Sequence, residues 1–364
     1  MLTVHRLGPA GSGMRHDVMI STIMRHPTPL PRALLEEALR HGGVVGVAQC
    51  DRYGVDKFRR HRLVASGRWT RLTQGTYLTD VVPTGVHELD LARQRAAWSG
   101  SFAFPGAIVV GAAALVLHGI KGLPRTVTPE VALPDGARAR SRDGIVVRQY
   151  DARMRVVDVA GRPVAAPEWA FAQAAPLLPV RELVSAMDSA ANKGVIDDVG
   201  LARAHEIARG RRWISRAHLA WQAYDGRAES PPETHARLMC REGGIGPDDL
   251  QREIFDARGR FLARADLAWF LGGDHDAGAD RWLLVEIDSD EFHTSAQEVR
   301  ADAVRQNGLL AVGRHVLLRY FARHLRDERS VVGQIRSVLD AEGWVPGRSL
   351  PPAYPVVIVR RRAV

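Results

Sequence analysis

The chain has 364 residues, of which 46% are hydrophobic and 25% charged, and it carries a net charge of +9. That length exceeds one ordinary core and predicts two or three domains; the composition is that of a globular protein rather than a disordered or fibrous one. No apolar run reaches the roughly 18 residues that a membrane span needs, so a membrane partner is excluded. The first 27 residues lack the ordered regions of a secretory signal and read as a disordered lead-in. The two cysteines, Cys50 and Cys240, make neither a disulfide framework nor a zinc pattern, and a reducing cytoplasm is the expected location.

Charge is unevenly placed. Residues 1–75 hold 12 Lys and Arg against 5 Asp and Glu, and residues 266–302 hold 2 against 10. A basic head predicts a polyanion partner, DNA first; the bland alternative is a solvated surface. An acidic stretch set among core residue types predicts a metal site.

Residues 28–82 read as a small helical module ending in a hairpin. Pro31–His41, Val44–Tyr53 and Val55–Ser66 are predicted helices, the last two closed by Gly54 and Gly67. RWTRLTQGTYLT then alternates as a strand, turns at Gln74-Gly75 and returns. Helix, turn, helix and ribbon in that order is a winged helix-turn-helix. Its third helix carries Lys57, Arg59, Arg60, His61 and Arg62, with Phe58 as the expected core anchor, and the wing adds Arg68 and Arg71. Basic residues so placed suit DNA phosphates. Through VVGVAQCDRYGV and RHRLVASGRWTRLTQGTYLT this segment resembles the winged helix of AbiEi-type antitoxins. The resemblance implies promoter binding and a toxin partner.

Residues 83–226 form a middle α/β and helical region. HELDLARQRAAW is a helix, strands follow, and VVDVAGRPVA is a hairpin turning at Gly161. His118 reads as a residue near a helix end facing a loop. Four helices are predicted between residues 166 and 226, separated by Pro179, Gly194 and Gly210.

Residues 227–345 carry the chemistry, and 346–364 are a tail with no clear assignment. The predicted order is helix Ser230–Gly243, strands Leu250–Phe255, Phe261–Phe270 and Arg281–Asp288, helix Ser295–Val312, strand His315–Phe321 and helix Leu325–Ala341. Asp266 sits mid-strand, and Glu286 and Asp288 stand two apart on the next strand, on one face. A hairpin would bring all three together, and bare carboxylates among apolar residues are costly unless a cation joins them. Oxygen ligands suit Mg²⁺ or Mn²⁺. The order αβββαβ and the residues Ser230-Pro-Pro-Glu233, Arg264-Ala-Asp266, Glu286-Ile-Asp288-Ser289, His293, Arg300-Ala-Asp302-Ala-Val-Arg305 and Arg319 resemble the very-short-patch-repair-like branch of the PD-(D/E)XK nucleases. Ser289 departs from that branch's glycine, Asp288 stands where the superfamily has lysine, and the repair enzymes' cysteine-rich zinc site has no counterpart.

This resemblance implies a metal-dependent endonuclease. Asp266 and Glu286 would hold the ion with the Ile287 carbonyl. Asp288 would orient water or hold a second ion, His293 would serve as general base, and Glu233 would join as a further acid. Arg300, Arg305 and Arg319 would face phosphate oxygens. Each has a plainer alternative. Ser230 and Glu233 can form a capping box, Glu233 can pair with Arg237, Arg300 and Arg305 can line an exposed helix face, and His293 can be a surface residue. Two-strand cutting would need two such sites, as a homodimer supplies. The rival functions are a non-cutting DNA-binding regulator on a degenerate nuclease fold and a module that pairs with a toxin.

Overall fold

A computed structural model describes residues 29–134, 139–255, 259–273, 280–288 and 314–351. The expected lead-in over 1–27, the helix Ser295–Val312, and His293, Arg300 and Arg305 lie outside the described residues, as does most of the tail.

The amino-terminal body is winged-helix-like. It runs α1 (Arg32–Arg40), β1 (Val44–Gly46), α2 (Val47–Arg52), α3 (Lys57–Ala65), β2 (Thr70–Thr73) and β3 (Thr76–Leu78), with sheet order β1-β3-β2. Leu34, Ala38, Val45, Cys50, Val55, Leu63 and Trp69 form its core. The stretch expected as one helix from Val44 is split: Val44 and Val45, β-branched and fully buried, pair with β3 instead, and the helix begins after Gly46. Asp56 caps α3 by accepting from the Arg59 N–H at 2.7 Å. That start fixes the phase of the helix. Arg60 and Leu63 face inward, and Phe58, the expected anchor, is 64% exposed.

The middle region has a five-stranded mixed sheet. α4 (Glu88–Ala103), β4 (Ile108–Val109), α5 (Gly111–Leu117), β5 (Glu130–Ala132), β6 (Val146–Arg148), β7 (Val156–Val159) and β8 (Arg162–Ala165) come first, with strand order β6-β5-β4-β8-β7. The β7–β8 hairpin turns at Ala160 and Gly161, where the glycine's φ of 80° suits its lack of a side chain. His118 caps α5 and its Nε2 lies 2.8 Å from the Ala165 carbonyl, a structural post. Helices α6 (Pro167–Ala174), α7 (Val180–Asn192), α8 (Asp198–Ala208) and α9 (His218–Ala223) pack into the same core as this sheet.

The carboxy-terminal body opens with α10 (Pro231–Glu242), followed by β9 (Asp249–Phe255), β10 (Phe261–Gly272), β11 (Arg281–Asp288), β12 (Val316–Phe321) and α11 (Glu328–Ala341). The sheet order is β12-β11-β10-β9, with β9, β10 and β11 antiparallel and β12 parallel to β11. One face (Leu267, Trp269, Leu283, Val285) packs under α10 and α11; the other holds Ala265, Ala268, Phe270, Trp282 and Leu284.

α10 belongs to both cores. Leu238 packs into the middle cluster, while Ala236, Met239 and Cys240 pack into the carboxy-terminal one. Between α7 and α10 lies a buried polar knot. Asp188 is 1% exposed; its Oδ2 accepts from Thr234 Oγ1 and from Arg237 Nη2, each at 2.7 Å, and its Oδ1 accepts from the Asp225 N–H at 2.7 Å. Burial pushes the Asp188 carboxyl upward against the pull of Arg237. Arg237 is thus committed to Asp188 rather than to Glu233.

Candidate functional site

The register of the carboxy-terminal sheet builds the site. Asp266 lies one step beyond the paired residues Leu267 and Val285, which sets it opposite Glu286. On its other side it falls between the pairs Ala265–Arg252 and Leu267–Leu250, opposite Gln251. Glu286 in turn pairs with Arg319 on β12. Gln251, Asp266, Glu286 and Arg319 therefore form one row across all four strands.

The row sits where the sheet changes the side it buries. Ala263 and Ala265 pack on one face and Leu267, Trp269 and Leu271 on the other, so strict alternation slips at Asp266. The same slip on β9, between Leu250 and Ile254, contains Gln251 in a left-handed conformation with φ of 52°. A non-glycine residue held there marks a local distortion of a kind that concentrates at functional sites. It aims the Gln251 amide so that Nε2 donates to Glu233 Oε2 at 2.9 Å and to Asp266 Oδ1 at 3.3 Å. Gln251 Oε1 is buried and has no hydrogen-bond partner among the described residues. Ile287 N–H donates to Asp266 Oδ2 at 2.7 Å, a side chain taking a bond that the sheet ladder would otherwise use.

Glu233 is 8% exposed. Its N–H donates to the Ser230 cap at 3.4 Å, and its carboxylate accepts from the Glu229 N–H at 2.8 Å, one residue before the cap. Glu233 is thus a capping residue and a member of the acid group at once. Burial and then the Glu233 charge push Asp266 up to about 7. In the unfolded chain it titrates near the usual carboxylate value of about 3.9. Between those values the native state holds the extra proton, so stability falls as pH rises through that window. Asp266→Asn keeps an acceptor for Ile287 and cannot ionise. Its stability relative to the parent should rise by on the order of 2 kcal/mol above pH 7 after solvent screening, and the gain should vanish at acid pH. Thermal melts across that pH range measure it.

Glu286 is 5% exposed and lies 3.4 Å from Arg319 Nε. Arg319 also donates to both oxygens of Asp288, Nε to Oδ2 at 3.1 Å and Nη2 to Oδ1 at 3.0 Å. Arg319, expected to face phosphate, thus binds two of the chain's own carboxylates, and Asp288 serves as its partner.

Mg²⁺ is commonly held by one or two carboxylates completed by water and substrate phosphate. Asp266 and Glu286, opposite one another in the register, would make a donor pair of that kind, and the Gln251 amide next to Asp266 could add a further oxygen. Among the described residues no three His, Cys, Asp or Glu side chains are arranged to enclose an ion by themselves. The residues fit an open, partly hydrated Mg²⁺ or Mn²⁺ site rather than a closed cage.

In the amino-terminal body the predicted basic residues divide. Lys57 and Arg62 lie exposed on α3, with Lys57 Nζ 5.0 Å from the Phe58 ring centre. Arg59 reaches the Pro29 carbonyl at 2.8 Å. Arg60 is 6% exposed, pairs with Asp51 and donates to the Val55 carbonyl at 2.6 Å. It points into the core and corrects the expectation of a DNA-facing arginine, because the inward stripe of α3 falls on it. Arg68 is held by Asp80 at 2.6 Å, and Arg71 Nε reaches the Thr73 carbonyl at 3.4 Å.

The sequence reading missed Gln251 and Asp188. A glutamine in a strand carries no signal until its partner is known, and Asp188 meets Arg237 only after two distant helices pack.

Residues 32–79, the winged-helix-like body, match the family described as "Transcriptional regulator, AbiEi antitoxin". Two curated proteins of Mycobacterium tuberculosis, the uncharacterized proteins MT2308 (strain CDC 1551 / Oshkosh) and Rv2248 (strain ATCC 25618 / H37Rv), are each 30% identical to the chain over 181 residues. The match takes in 50% of this chain and 63% of each relative. Among solved structures, the crystal structure of the RV2827C protein from Mycobacterium tuberculosis aligns with a TM-score of 0.26 at 16% identity, over 53% of this chain and 80% of that one. No helix among the described residues is long and apolar enough to cross a membrane.

Proposed function

We propose that the chain binds DNA through its winged helix and hydrolyses phosphodiester bonds at the Asp266–Glu286 row with Mg²⁺ or Mn²⁺. The observation that carries this reading is the row itself: half-buried Asp266 stands opposite Glu286 and is bridged by Gln251 to Glu233 at a distorted point of the sheet, and carboxylates so grouped need a cation to ionise comfortably. When bound, the metal supplies positive charge to the phosphoryl group and acidifies water. The chain's own residues do the positioning. Gln251 ties Asp266 to Glu233, and Arg319 holds Glu286 and Asp288 in fixed orientation. His293, Arg300 and Arg305 complete the proposal as proton acceptor and phosphate ligands.

The DNA-binding half is supported by the antitoxin-family match over residues 32–79 and by the exposed Lys57 and Arg62 on α3. Replacing either by Ala should lower the salt dependence of DNA binding by about 0.9 in the log–log slope per lost phosphate contact. Arg60→Ala should instead lower stability by about 1.5–3 kcal/mol, as loss of a buried charged hydrogen bond does. Salt-titrated binding and melting curves on the same variants separate the two roles.

A second reading is a regulator of the antitoxin type, working with a toxin partner, that binds DNA without cutting. Arg319 favours it, since this cation already neutralises Glu286 and Asp288 from within the chain. Supercoiled plasmid incubated with the protein and Mg²⁺ or Mn²⁺ decides between them. Nicked or linear product supports the hydrolase; a gel shift with intact plasmid supports the regulator.

A further inference from the structure

Trp213, between α8 and α9, is one of four non-glycine residues with positive φ among the described residues, with Asp143, Ala160 and Gln251. At φ 74° and ψ 0° it is left-handed, a conformation that a bulky side chain disfavours. Burial does not repay this, since the ring is 44% exposed. What the conformation does is hold two arginines. Arg212 Cζ stands 4.3 Å and Arg216 Cζ 4.7 Å from the ring centre. Both are exposed, and neither guanidinium meets a carboxylate among the described residues. Arg211, next in the chain, has a buried Nε without a hydrogen-bond partner among the described residues. Arg209 adds an exposed guanidinium paired with Glu206 at 2.8 Å.

Two unneutralised guanidiniums on one indole repel each other and lose side-chain freedom, and a strained backbone holds them there. An anion bound close to the pair offsets that positive charge. Arginine against an aromatic ring keeps its N–H groups able to bond, and a guanidinium reads phosphate bidentately.

We propose that Arg212, Trp213 and Arg216 form a second DNA contact, a phosphate clamp for the duplex backbone that is separate from the winged helix. It rests on the DNA-binding reading above. It adds that the middle region grips DNA without regard to sequence and so supports the acid row with affinity rather than specificity.

The test uses the full chain, a short random-sequence duplex and fluorescence anisotropy over a range of NaCl concentrations. Arg212→Gln with Arg216→Gln should lower the slope of log affinity against log salt by about 1.8, two phosphate contacts at about 0.9 each, equally for unrelated sequences. Trp213→Gly eases the left-handed backbone and removes the platform. It should melt no lower than the parent yet lose affinity, while Trp213→Phe keeps most of it. A double variant with the parent's slope and affinity overturns the clamp, and so does one that loses polyglutamate binding while keeping duplex binding. A parent that binds no duplex at all overturns the DNA-binding reading as well. A parent that binds, with a slope sensitive to Lys57→Ala and Arg62→Ala alone, overturns only the clamp.

Discussion

Asp266→Asn should leave the fold intact and lower metal-dependent plasmid nicking by about 10³-fold, the equivalent of about 4 kcal/mol of lost charge stabilisation. Asparagine preserves the acceptor for the Ile287 N–H and sits in the same strand, so the ladder around it stays. What is lost is the negative charge that would hold the cation. Glu286→Gln should fall by a similar factor, but with a different signature. Glu286 is tied to Arg319, so its loss also removes one carboxylate contact of that guanidinium while the contact with Asp288 stays. Rates of nicking at saturating Mn²⁺, with melting temperatures recorded beside them, distinguish lost chemistry from lost structure. Equal rates in parent and Asp266→Asn would remove Asp266 from the mechanism.

The largest stability loss is expected far from that row. Asp188→Ala should cost about 3–5 kcal/mol, the range for stripping one partner from a buried ion pair. Arg237 is 3% exposed and would be left, among the described residues, with the Ala223 carbonyl as its hydrogen-bond partner and the Asp225 charge nearby. Thr234 would lose its shorter hydrogen bond and keep only the 3.4 Å one to the Ser230 carbonyl among the described residues, and the Asp225 N–H would lose its side-chain acceptor. Because this knot joins α7 to α10, and α10 carries Glu233, the damage should reach the acid group as well. Denaturant unfolding of the full chain measures it. A change of under about 1 kcal/mol, the size of an exposed pair, would show that the knot contributes nothing special.

Much of this architecture was readable in the residues because the signals were local. β10 and β11 are apolar enough to place both strands, and the Asp266–Glu286 juxtaposition follows from their antiparallel register. The β7–β8 turn at Gly161 was equally plain. The misreadings have one cause: the phase of a short element is set by its neighbours. α3 has nine residues, so its capping at Asp56 decided that Arg60 would turn in and Phe58 out, and no periodicity over so short a span could announce it. Val44 and Val45 adjoin a helical stretch in sequence but form a strand of their own because β3 offers them partners. Arg319 matched a phosphate ligand by motif, but parallel pairing with β11 delivers it to Glu286. Gln251 takes its meaning from a backbone distortion that sequence does not encode visibly.

The account depends most on the acid row attracting a divalent cation. Calorimetric titration of Mn²⁺ into the full chain, above the pH at which Asp266 ionises, addresses that directly. Saturable binding in the parent that disappears in Asp266→Asn is the predicted result. Absence of heat in the parent, or an identical isotherm in the variant, would contradict it and leave a carboxylate row held by the chain's own contacts.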